Sequence, residues 1–111
     1  MPLKNPKKTK AGKSSGKVKE TYILRLFVTG ILPNSTRAIV NIRKICETYL
    51  KGRYELEIID IYQQPELALS EEIIAVPVLI RKFPLPEARL IGDMSDTEKV
   101  LDGLHLNKPE V

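Results

Sequence analysis

The sequence holds a single cysteine, Cys46, so one chain can form no internal disulfide, no CxxC redox pair and no cysteine-based zinc site. That scarcity fits a reducing compartment, and the expectation is a cytoplasmic protein. Long apolar runs are also missing. The longest uncharged one, Ile73 to Ile80, is far too short for a bilayer span and is broken by Pro77, so no membrane segment is expected. Arg25 interrupts the apolar run from Tyr22 to Val28 and no cleavage-like site follows, which argues against a signal peptide. Without secretion the Asn34-Ser35-Thr36 sequon is idle. Histidine is nearly absent too: His105 stands alone with no partner in sequence, which favours a surface role over a metal or general-base role.

Acidic residues are absent from the first nineteen positions, which carry seven lysines (4, 7, 8, 10, 13, 17 and 19) and hence a charge of +7. The remaining eleven basic residues face all fourteen acidic ones, so the body is at −3 although the whole chain is at +4. Charge gives no support to nucleic-acid binding by the folded part. Residues 1–20 read as a disordered basic arm, since their Lys, Gly, Ser, Thr and Pro cannot bury enough to offset ordering entropy. Gly12-Lys13-Ser14 is a false phosphate-loop match, because Lys7 stands where the first glycine is needed. Residues 21–106 form one expected domain, with 107–111 a tail.

Tyr22 to Val28 is apolar on both alternating faces apart from Arg25, as expected of a central strand covered on both sides. Asn34 or Ser35 can cap a helix whose Ala38, Ile42, Ile45, Cys46 and Tyr49 recur at helical spacing, with Gly52 as its stop. Tyr54 to Ile58 alternates with period two, turning Glu55 and Glu57 to water. Pro65 suits the start of a short helix running towards a solvated end at Glu71-Glu72. Val78–Ile80 and Ala88–Ile91 read as a hairpin joined by Phe83-Pro84-Leu85-Pro86. A Ser95/Glu98 capping box opens a last helix carrying Val100, Leu101 and Leu104, with Asp96 in its first turn beside Asp93. The predicted order is βαβαββα.

A strand, a loop, a helix and Val76-Pro77 before a later strand make an α/β, thioredoxin-like skeleton. Redox members of that fold place thiols where the helix N-terminus stabilises thiolate. Here that stretch is Leu32-Pro33-Asn34-Ser35, and Cys46 lies three turns further on, along the apolar stripe, where it reads as core. No nucleophile, base and oxyanion site assemble, so no enzyme and no cofactor are expected.

The phrases themselves carry a resemblance: Tyr22-Ile-Leu-Arg-Leu-Phe-Val, Pro33-Asn34-Ser35 with Arg37-Ala38, Ile58-Ile59-Asp60, Pro65-Glu66-Leu67-Ala68, Ala75-Val76-Pro77, Pro84-Leu85-Pro86 and Ile91-Gly92-Asp93-Met94-Ser95-Asp96. Over residues 21–104 the chain resembles the KaiB family. The resemblance implies a non-catalytic module that binds a KaiC-type hexameric ATPase, in circadian timing or a stress response, with Arg37, Glu55, Glu57 and Arg89 at the partner surface. It also implies a second fold, βαββααβ, in a homotetramer or smaller homo-oligomer, with Tyr22, Pro77, Pro84, Pro86, Gly103 and His105 at positions that influence the exchange. Glu55 and Glu57 stand where clock members commonly carry Ala and Lys, and Gly103-Leu104-His105 where they commonly end Gly-Leu-Asp. Two other readings compete: a redox protein using Cys46, and a detached sensor domain of a histidine kinase, which shares this fold but would continue past Val111.

Overall fold

A computed structural model of the chain describes residues 20–30 and 32–106. The expected basic arm, Glu20 excepted, and the tail at 107–111 lie outside the described residues. The elements are β1 (Tyr22–Val28), α1 (Pro33–Tyr49), β2 (Tyr54–Asp60), α2 (Pro65–Ser70), β3 (Val78–Phe83), β4 (Ala88–Ile91) and α3 (Thr97–Gly103), the predicted βαβαββα order. The sheet runs β2-β1-β3-β4, with β1 parallel to β2 and the other two pairs antiparallel. β1 is therefore interior, as its two apolar faces require.

Period two divides the burial between those faces. Tyr22, Leu24, Leu26 and Val28 join Ala38, Ile42, Ile45 and Cys46 of α1 and Val100 and Leu101 of α3 in the main core. Phe27 turns the other way and packs with Ile59, Val78 and Ile80 beneath Leu67 and Ile73 of the α2 segment. Ile59 departs from the half-exposed reading of β2: it is fully buried on the face that Glu55 and Glu57 leave open, because α2 covers only that end of the strand.

Four local expectations are corrected. Neither Asn34 nor Ser35 caps α1. Leu32 stands at the N-cap and Pro33 opens the helix, where its missing N–H costs nothing, while the buried Ser35 hydroxyl accepts the Thr29 N–H at 3.1 Å. Asp96 and not Ser95 is the N-cap of α3: its carboxylate accepts the Lys99 N–H, and the Ser95 N–H donates to Asp93. An ionised oxygen one residue nearer the helix is the stronger acceptor. β3 runs three residues beyond Ile80, because Arg81, Lys82 and Phe83 follow β1 through a bulge at Ile23/Leu24. Glu71 is not a solvated helix end: its side chain is only 13% exposed and is held by cations from three strands.

Candidate functional site

The loop where thioredoxin-type chemistry would sit is Thr29 to Pro33, opposite Val76-Pro77, whose peptide bond is cis. Thr29, Leu32, Asn34, Ser35, Arg37, Val76 and Pro77 line an open cleft of about 390 Å3 there. No thiol lies in it. The Gly30 backbone, at a φ of 47° that favours glycine, donates its N–H to Asp60 at 3.2 Å, so the end of β2 holds this glycine in place. Cys46 is fully buried in the main core, and burial, with the nearby Glu47 carboxylate adding to it, pushes the thiol up to about 12. Nucleophilic thiols need the opposite environment. Among the described residues no group of three potential metal ligands occurs.

The four residues expected at a partner surface fall into two groups. Arg37 is exposed on α1, where its Nε lies 3.2 Å from Asp93 Oδ2 and Nη2 bonds Asn34. Asp93 is drawn below the usual carboxylate range by hydrogen bonds from the Ser95 side chain and backbone, then by Arg37. Asn41 also donates to the Asp93 carbonyl at 2.9 Å, so the first half of α1 grips the turn before α3. Glu55, Glu57 and Arg89 lie on the opposite face, since Tyr54, Leu56 and Ile58 pack towards α1 and the alternating glutamates point away. Even there they sit on opposite edge strands, β2 and β4.

Glu71 is the residue that connects Glu57, through Arg25, with Arg89, and sequence reasoning missed it. Its Oε2 accepts from Lys82 at 2.9 Å and Arg25 at 3.4 Å, and Oε1 from Arg89 at 3.4 Å. Arg25 reaches on to Glu57 at 3.3 Å, and Lys82 and Arg89 both reach Glu87. Charges from all four strands thus interlock across one end of the sheet. The signal in sequence was faint: three cations at outward strand positions with no stated partner.

Of the residues expected to influence a fold exchange, Tyr22, Pro84, Pro86, Gly103 and His105 lie towards the other end of β3, while Pro77 stays apart at the Thr29 cleft. Tyr22 is buried with its hydroxyl 3.5 Å from the Leu104 carbonyl. Gly103 lies against Leu90, whose Cδ2 would be 2.2 Å from an added Cβ. His105 follows at a φ of 58°, exposed, and the bonds preceding Pro84 and Pro86 are cis like that preceding Pro77. Arg81 belongs with them and was also missed. Its position was readable, because it stands two residues after the inward-facing Leu79 and so points into the main core.

With this geometry in view, comparison with known proteins is decisive. A family model described as the KaiB domain matches residues 25–106. The chain belongs to the KaiB family. Its relatives include the circadian clock oscillator protein KaiB of Picosynechococcus sp., 48% identical over 89 residues that cover 80% of this chain and 86% of the relative. The KaiB so named in Prochlorococcus marinus is 50% identical over 88 residues, 79% and 84% of the two chains. Among solved structures, the N-terminal domain of SasA from Synechococcus elongatus superposes with a TM-score of 0.64 at 20% identity, covering 91% of this chain and 99% of that one. The Deadhead thioredoxin of Drosophila melanogaster gives 0.64 at 14% identity, covering 78% and 80%. These likenesses establish a thioredoxin-like fold for this KaiB family member. No helix among the described residues is long and apolar enough to cross a membrane.

Proposed function

We propose that the chain is a non-catalytic clock-type regulator that acts in the cytoplasm by binding a KaiC-type hexameric ATPase. The observation that carries this reading is the 48–50% identity to proteins named as circadian clock oscillators over about four-fifths of the chain. The cleft without a thiol and the buried, proton-holding Cys46 favour it over a redox enzyme. Likeness to the SasA N-terminal domain is shared fold and gives a sensor-domain reading no separate support.

Docking uses the outer sheet face in this proposal, with Glu55 and Glu57 at one edge and Arg89 at the other, while Arg37 contributes from the α1 side. Among the described residues Glu55 has no charged partner, and Glu57 and Arg89 are partly neutralised by Arg25, Glu71 and Glu87. A partner must therefore compete with an internal ion-pair network, which makes binding salt-dependent and selective more than strong. A homotetramer with the βαββααβ order belongs to the same proposal, and the exposed Phe83 and Leu85 are natural subunit contacts for it.

The test is a titration of the full chain against a purified KaiC-type ATPase, followed by light scattering. A complex that grows with ATPase concentration supports the proposal. No complex at low salt, combined with Cys46-dependent insulin reduction, would replace it with the redox reading.

A further inference from the structure

Arg81 is 1% exposed, and among the described residues no carboxylate pairs with it. Arginine cannot shed its proton, so a guanidinium in a core carries its charge wherever it goes. Burying it without a counter-ion is costly unless oxygen acceptors surround it. Arg81 has two, both backbone carbonyls. Nη1 donates to Leu104 at 2.7 Å and Nη2 to Pro86 at 2.5 Å, leaving Nε without a partner. Leu104 is the C-cap of α3, and the end of a helix gathers partial negative charge on its free carbonyls. The cation is therefore solvated by carbonyl oxygens of a helix end and a hairpin turn.

Those two contacts join the end of α3 and the β3–β4 turn through one side chain of β3. α3 is seven residues long and enters the core through Val100 and Leu101. Its near end is tied through the Asp93 turn to Arg37 and Asn41, while at its far end, besides the burial of Leu104 and Leu106 and the packing of Gly103 on Leu90, the side-chain hydrogen bonds among the described residues come from Arg81 and, at longer range, Tyr22 on the same carbonyl. No bond of Arg81 reaches α1 or β2.

We propose that Arg81 is a latch: its guanidinium fastens the end of α3 and the β3–β4 turn to the sheet, and without it the segment from α3 to Leu106 opens as a unit while β1, α1 and β2 stay folded. Opening would also dismantle the cleft of about 510 Å3 that Ile91, Met94 and Val100 form between β4 and α3.

Amide hydrogen exchange of the full-length chain, compared with Arg81→Met and Arg81→Lys, tests it. The reporters are the Leu104 and Leu106 amides, bonded to Val100 and Leu101, against the Leu50 amide at the end of α1 and the Ile61 amide after β2. Arg81→Met should speed the first pair about tenfold or more, the loss expected for hydrogen bonds from a charged donor, with the second pair changing by less than about threefold. Arg81→Lys, which keeps the charge but reaches one carbonyl at a time, should fall between. Equal acceleration of both pairs would reduce Arg81 to a general core contact, and no acceleration of the first pair would remove the latch altogether. Should Arg81→Met fail to fold, the same comparison on Arg81→Lys decides, with selective loss supporting the latch and uniform or absent loss overturning it.

Discussion

The Glu71 carboxylate accepts the Lys82 ammonium at 2.9 Å while standing largely out of water, and the same carboxylate holds Arg25 and Arg89. One acid thus serves three cations. Glu71→Gln should cost about 1–3 kcal/mol, because it strands positive charge in a part-buried site. Urea unfolding of the variant at low and high salt checks this, with the deficit expected to shrink as salt screens the stranded cations.

Gly103→Ala should destabilise by about 1–3 kcal/mol, since the new methyl falls within 2.2–2.9 Å of three Leu90 side-chain atoms. The better helix propensity of alanine offsets part of this. Trimming Leu90 to Ala in the same chain should recover much of the loss. A double-mutant cycle on thermal melts would show additive penalties if the two residues did not meet.

Cys46 should resist alkylation in the native protein at pH 8, because its thiol is buried and held up at about 12. Iodoacetamide labelling followed by mass spectrometry ought to show modification only after denaturant is added. Cys46→Ser should lower stability by about 1–3 kcal/mol by burying a hydroxyl, with no change in any disulfide-reducing activity.

Stability should be flat near neutrality and fall at both extremes of pH. The Lys82 hydrogen bond, the largest cause, and then its charge hold Glu87 below its ordinary 4.5, and the Ser95 hydrogen bonds hold Asp93 below 3.8. Groups with depressed folded values stabilise above their unfolded values and lose that contribution as pH falls through the folded ones. Lys82 is raised above 10.5, chiefly by its bond to Glu71, so its contribution is complete below that value and is lost as pH rises through the folded one. Melting temperatures from pH 3 to 11 should therefore show a shallower acid limb in Glu87→Gln with Asp93→Asn, and a shallower alkaline limb in Lys82→Met.

Glu55→Ala with Glu57→Lys should tighten binding to a clock-type KaiC by about two- to fivefold at low salt, the range of exposed charge pairs. The gain should vanish at high salt. Glu57→Lys also exchanges the 3.3 Å pair with Arg25 for a like-charge contact, at a cost of about 1 kcal/mol because the Glu57 end is more than half exposed. Calorimetric titration at two ionic strengths checks it, and an affinity unmoved at low salt would place the docking face elsewhere.

The sequence by itself determined where the elements lie, which faces are apolar, that Cys46 is core and that Tyr22–Val28 is interior. Periodicity, helix starts and turn residues are local properties, readable within a few positions of one another. The family was legible for the same reason, through contiguous phrases. Only the tertiary structure decided what the polar residues do. Glu71 meets Arg25 across 46 positions, and Arg81 meets the Leu104 carbonyl across 23. Asp96 displaced Ser95 as the cap of α3 through a competition among neighbours that composition does not rank. A charge is assigned by the acceptors that surround it in space, and chain order holds no record of them until β1, β3 and the segment after α2 are brought side by side. That is why the partners of Arg81 and Glu71 could not be read from the sequence, although the placement of both residues could.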